Sequence, residues 1–166
     1  MKKRIILGLV LVLSWLITAS ASEDDLGVWT SKTPMLSKRS EVGVTEAGGK
    51  IYVVGGFSGQ REVEEYDPDG DVWKSRAAMP VALHHVGAAS LNGVVYVIGG
   101  FRDGWTPVDT VWHYDPTTDK WTARAKMPTP RGALTIVVVD GKVYAIGGQG
   151  RGGDLTSNEV FEIKIP

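Results

Sequence analysis

Apolar residues come in short bursts along this chain, and the bursts recur with the same punctuation. Residues 51–54, 94–98 and 143–146 are near-continuous β-branched and aromatic runs. Their length suits strands, and an unbroken apolar run predicts a strand buried on both faces. Each follows another apolar stretch, such as residues 86–91 or 133–139, across a two-residue link: Gly48-Gly49, Asn92-Gly93 or Asp140-Gly141. Both link residues accept positive φ, so each link is predicted to be a tight hairpin turn. A glycine pair ends each central run, and a loop then leads to a third strand, predicted at residues 63–66, 111–114 and 160–163. Asp67-Pro68 and Asp115-Pro116 turn the chain again, because proline cannot continue a ladder and aspartate closes the turn. Fourth strands then carry Trp73 and Trp121. No stretch shows a helical period with caps, so the predicted class is all-β.

The punctuation keeps one register. Trp29, Trp73 and Trp121 are 44 and 48 residues apart, and so are Met35, Met79 and Met127. The link pairs and the glycine pairs 55–56, 99–100 and 147–148 repeat the same two intervals. Four independent markers in one register define an internal repeat of a four-stranded unit.

The segments GGKIYVVGG, NGVVYVIGG and DGKVYAIGG, with Tyr-Asp-Pro or Val-Phe-Glu downstream and Trp before Met-Pro, resemble the Kelch repeat. The resemblance runs from Val28 to Ile165 and implies four-stranded β-propeller blades around a central channel. The expected blades are about 40–76, 84–124 and 131–165, with residues 27–31 as a closing strand. The third unit ends after its third strand, while the Trp29 segment is a fourth strand with no three before it. Propellers need about four to eight blades. The chain is therefore expected to pair as a homodimer that completes a six-bladed ring, the alternative being a truncated propeller fragment with no independent role.

The N-terminus changes the setting. Lys2, Lys3 and Arg4 precede an apolar run over residues 5–17, and Ala19-Ser20-Ala21 is a small-x-small cleavage pattern. Residues 1–21 thus read as a signal peptide and 22–166 as the repeat domain, with no membrane span after cleavage and a periplasmic or secreted location. Removing the three basic residues leaves 15 Lys and Arg against 19 Asp and Glu, which argues against nucleic acid as a partner. There is no cysteine, so disulfides and thiolate metal sites are excluded. No cofactor is expected.

Candidate chemistry gathers on one face. Alternating connections put the tight turns on one end of each blade and the longer loops, residues 57–62, 101–109 and 149–158, on the other. Loops on a rigid scaffold usually carry binding residues. Arg39, Arg61, Arg102, Arg131 and Arg151 are expected there, with His84, Phe57, Phe101 and Trp105. Of these, Arg39, Arg61, His84, Phe101, Arg102, Trp105, Arg131 and Arg151 form the candidate ligand site. Guanidinium forks suit carboxylates, and aromatic rings stack on sugars or apolar side chains. In Kelch relatives an arginine opening the first strand often lines this mouth, which the resemblance places at Arg39 and Arg131, with Leu83 departing from the pattern.

The expected function is a non-enzymatic, extracytoplasmic module that recognises a protein or glycan, acidic by preference. The alternative is a carbohydrate-active Kelch enzyme resembling N-acetylneuraminate epimerase, with Glu41 and His84 as acid–base candidates. A galactose-oxidase-like radical site would need a cysteine. His84 and His85 are adjacent and expected on opposite strand faces, which disfavours a shared metal. The spacing of Gly148, Gly150 and Gly153 lacks the following helix of a phosphate loop. Asp67, Asp69 and Asp71 lack the later ligands of a calcium loop.

Overall fold

The computed structural model describes residues 27–163; the expected signal peptide lies outside the described residues. The chain divides into a unit before residue 32 and a unit from Lys32 onward. In the first, residues 27–31, expected to be a closing strand, take part in no strand pairing.

The second unit is a row of antiparallel blades. The first blade is β1 (Gly43–Ala47), β2 (Lys50–Val54), β3 (Val63–Asp67) and β4 (Val72–Ser75), paired in that order. The second contains β5 (Gly87–Leu91), β6 (Val94–Ile98), a small hairpin of β7 (Phe101–Arg102) and β8 (Thr106–Pro107), then β9 (Val111–Asp115) and β10 (Lys120–Ala123). Its sheet runs β5-β6-β9-β10. The third has β11 (Thr135–Val139), β12 (Lys142–Ile146), a second small hairpin of β13 (Gln149–Gly150) and β14 (Gly153–Asp154), and β15 (Asn158–Phe161). Its sheet, β11-β12-β15, has three strands. The third strand of this blade starts two residues earlier than expected, at Asn158, because Phe161 takes the position of Tyr66 and Tyr114: they pair with Val143, Ile51 and Val95.

Each hairpin link has positive φ at both residues, as at Asn92 (55°) and Gly93 (76°), which is what lets two residues reverse a twisted ladder. The glycine pairs do a different job. At Gly100, φ is 107° and a Cβ would stand 2.7 Å from Val86 and 2.9 Å from the His84 carbonyl, so no side chain fits beside the segment that opens the same blade.

Strand alternation gives each blade two apolar faces. One face of the first blade (Ala47, Tyr52, Val54, Val63) packs against Val95, Val97 and Tyr114 of the second. The opposite face of the second blade (Ala89, Leu91, Tyr96, Ile98, Val111) packs against Val143 and Ala145 of the third. Backbone bonds repeat across these interfaces. Gly56 donates to Leu83 at 3.0 Å and Gly100 to Arg131 at 2.9 Å; His85 donates to Glu41 and Ala133 to His85, both at 2.9 Å. Among the described residues, no helix is long and apolar enough to cross a membrane.

Candidate functional site

The loops after the glycine pairs meet the residues that open each first strand, through bridges joining Ser40 to Phe57, His84 to Phe101 and Gly132 to Gln149. Here five rings converge. Phe57 stacks on His84 with centroids 4.3 Å apart, and Trp105 stands 5.0 Å from both His84 and His85. Phe101 closes the group, 5.3 Å from Trp105. His84 and Phe101 are buried, whereas Trp105 is 54% exposed at the tip of a 3-10 turn, Asp103–Trp105, between β7 and β8. Trp105 itself has φ of 60°, a costly conformation for a bulky residue, held by the small hairpin around it.

Trp105, Phe101 and Gln149 are shared walls of two adjoining open clefts between the second and third blades. Arg151 lines one; His85 and Asp154 line the other. A more enclosed cavity lies elsewhere, among core residues such as Val111, Met127 and Phe161, and presents little polar chemistry. Gly132 abuts the wall: a Cβ there would lie 2.4 Å from the Phe101 ring.

A polar chain runs behind the rings. His84 Nδ1 and His85 Nδ1 are 2.7 Å apart, and His85 Nε2 is 3.1 Å from Glu41 Oε2. The first contact requires one ring to lack its Nδ1 proton. Burial, then the neighbouring His85, hold the His84 imidazole below its ordinary pKa. The expected separation of His84 and His85 onto opposite strand faces is therefore corrected. His85 has φ of 53°, which breaks the extended backbone immediately after His84 and turns both rings to one side.

The arginines separate into three kinds. Arg39 and Arg131 do not line the mouth. The Arg39 side chain is fully buried, donating to the Gly55 and Glu62 carbonyls at 2.9 and 3.0 Å with Glu64 3.1 Å away. Arg131 is also fully buried, donating to Glu159 at 2.7 Å, the Ala145 carbonyl at 2.8 Å and the Thr129 carbonyl at 3.0 Å. Both are struts: the side chain of a strand-opening residue runs inward beneath the loops. In the second blade the same two positions are Leu83 and Trp112, packed in one apolar cluster, so the ion pair is replaced as a unit. Arg61 is anchored by a 2.7 Å bond to the Met79 carbonyl. Arg102 and Arg151 are exposed and have no ion pair among the described residues. Only Arg151 joins the aromatic clefts; Arg102 borders a separate one with Asp109 and Lys126. Glu41, expected only as an acid–base candidate, joins the site through His85. His85, Gln149 and Asp154 complete it but were absent from the expected ligand set, since a repeat pattern marks recurring turns rather than loop contacts.

Among the described residues, no group of three or more potential ligands is placed to hold a metal ion. A family model described as the Kelch motif matches the chain three times, over residues 38–80, 82–128 and 130–164. No curated protein matches it.

Proposed function

The chain belongs to the Kelch-repeat family, and from that premise we propose that it is an extracytoplasmic binding module for a protein or glycan bearing a carboxylate. The observation that carries this reading is the exposed Trp105 on a buried platform of Phe101 and His84, with the unpaired Arg151 in the same cleft. An indole face offers stacking area at little entropic cost, and a guanidinium beside it offers a fork for carboxylate oxygens. Placement outside the cytoplasm rests on the N-terminal charge and hydropathy pattern. The mouth belongs to a ring that a second copy completes.

Screening of the purified protein against acidic oligosaccharides and acidic peptides tests the reading. Ligands retained by the native protein should be lost on Trp105→Ala and weakened about tenfold on Arg151→Ala, roughly a 1.4 kcal/mol contact. Ligands indifferent to both substitutions would place recognition elsewhere.

The Glu41–His85–His84 chain favours one second reading, an acid–base activity on a sugar resembling that of N-acetylneuraminate epimerase. Anomer exchange of N-acetylneuraminate followed by NMR separates the two. A rate above background that vanishes on His85→Asn supports the enzyme, and an unchanged rate removes it.

A further inference from the structure

The clefts are not the chain's only unfinished surface. In the first two blades, the fourth-strand tryptophan lies tilted against the third-strand tyrosine, at 4.8 Å for Tyr66–Trp73 and 4.9 Å for Tyr114–Trp121. The indole nitrogen donates at 2.8 Å to a linker carbonyl, Thr33 for Trp73 and Ala77 for Trp121. Two residues before each tryptophan, Asp71 or Asp119 accepts the tyrosine hydroxyl at 2.6 Å and the linker N–H at 2.9 Å. Both aspartates have positive φ, 50° and 55°.

In the third blade the tyrosine position is Phe161, and the linker position is Ala125, exposed beside an open groove with Val160 and Phe161. The remaining tryptophan in register is Trp29, preceded two residues earlier by Gly27 with φ of 74°. Phe161 has no hydroxyl to give, and Gly27 has no carboxylate to receive one. Two segments far apart in the chain have lost the two halves of one hydrogen bond together.

The sheet face tells the same story. The faces that Ala47, Tyr52 and Val54, then Leu91, Tyr96 and Ile98, bury against the next blade correspond in the third to Val139, Tyr144 and Ile146. There Val137, Val139, Ile146 and Val160 are 41 to 50% exposed. Across the row, the first blade presents Val44, also exposed, at the position that Ala88 and Ile136 use to cover the preceding blade. The backbone series continues too: after His85-to-Glu41 and Ala133-to-His85, the next bond would join Glu41 N–H to an Ala133 carbonyl. The new contact is not a copy of the internal ones, since Thr135 stands where Gly43 and Gly87 admit their neighbours.

We propose that a second copy of this chain covers the third blade. Its Trp29 strand adds to the edge of β15 that is unpaired among the described residues, in the register of β3 and β4, and its first blade seats on the exposed valines. This rests on the propeller reading of the chain and not on any ligand. The register sets Trp29 against Phe161 and Thr30 against Val160, as Trp73 faces Tyr66 and Lys74 faces Glu65.

The absence of native cysteine allows a clean test. The full chain carrying Thr30→Cys and Val160→Cys is oxidised and examined by denaturing electrophoresis, while light scattering gives the mass of the unsubstituted protein. The expected results are twice the single-chain mass in solution and a covalent two-chain species. Trp29→Ala should weaken association at least tenfold. Gly27→Asp and Phe161→Tyr should each weaken it, and the double substitution should recover affinity by restoring the Tyr–Asp pair. A single-chain mass, a disulfide closed within one chain, or a dimer indifferent to Trp29→Ala would each overturn the proposal. Ligand binding is scored separately, so a dimer without ligand and a ligand-binding monomer are distinguishable.

Discussion

Replacing Arg131 separates its assigned role from the ligand-binding one expected of a strand-opening arginine. Its side chain is fully buried and its three acceptors are the Glu159 carboxylate and the carbonyls of Ala145 and Thr129. Arg131→Leu leaves the Glu159 carboxylate, only 18% exposed, without its cation. Removing one partner of a buried pair costs about 3–5 kcal/mol; the residual exposure of Glu159 sets the expectation near 3. That corresponds to a fall in melting temperature of roughly 6–12 °C for a domain of this size. Adding Glu159→Leu removes the stranded charge, and Leu83 with Trp112 shows that the blade accepts an apolar pair at these positions. The double variant is therefore expected within about 1.5 kcal/mol of the native protein. Urea unfolding followed by tryptophan fluorescence, at fixed protein concentration, measures all three. A loss under about 0.5 kcal/mol in Arg131→Leu, or no recovery in the double variant, would refute the strut assignment. Loss of ligand with stability unchanged would reinstate the mouth assignment.

Tyr114→Phe removes a hydroxyl that donates to Asp119 at 2.6 Å and accepts from Arg76 at 3.0 Å, so it should cost about 1.5–3 kcal/mol in the same assay. Tyr66→Phe, whose hydroxyl meets Asp71 without an arginine, should cost less, and equal losses would contradict the role given to Arg76. Acidification should destabilise the protein before its carboxylates titrate. His84 and His113 have lowered pKa values, each chiefly through burial, then through His85 and Arg124 respectively. The unfolded chain then binds more protons once the pH falls through about 6.5, so stability present above that value is lost below it. The urea midpoint should drop between pH 7.5 and 5.5, with a shallower slope in His84→Gln; a flat profile in the native protein would overturn this.

The blades were legible because their turns are written in glycine, asparagine and aspartate at positions where φ is positive, and few other residues serve there. Arg39 and Arg131 were misassigned because a strand-opening residue looks the same in sequence whether it points out of the mouth or under it. A usable signal existed within the repeats: Arg39 and Arg131 accompany Glu64 and Glu159, while Leu83 accompanies Trp112. The histidine pair was missed for a different reason. Alternation holds only while the backbone stays extended, and His85 departs from it. The same departure recurs at Glu41 and Ala133, with φ of 55° and 53°, so a turned residue at the mouth is a property of the repeat.

The unequal spacing of the repeats bears on where function resides. The interval lengthens from 44 to 48 residues between the second and third units, and the loop after the glycine pair accounts for it: residues 57–62 in the first blade, 101–110 in the second. Those extra residues build the β7–β8 hairpin and lift Trp105 over Phe101 and His84. In the third blade the corresponding loop folds into β13–β14 and supplies Gln149, Arg151 and Asp154 to the clefts beside it. Strand lengths, turn chemistry and inter-blade bonds meanwhile stay nearly constant. A scaffold that holds its core fixed while extending two neighbouring loops toward each other concentrates its departures from the repeat at one place. That place is the Trp105 cleft, whereas the buried arginines, repeated in register in the first and third blades and ion-paired to Glu64 and Glu159, belong to the scaffold.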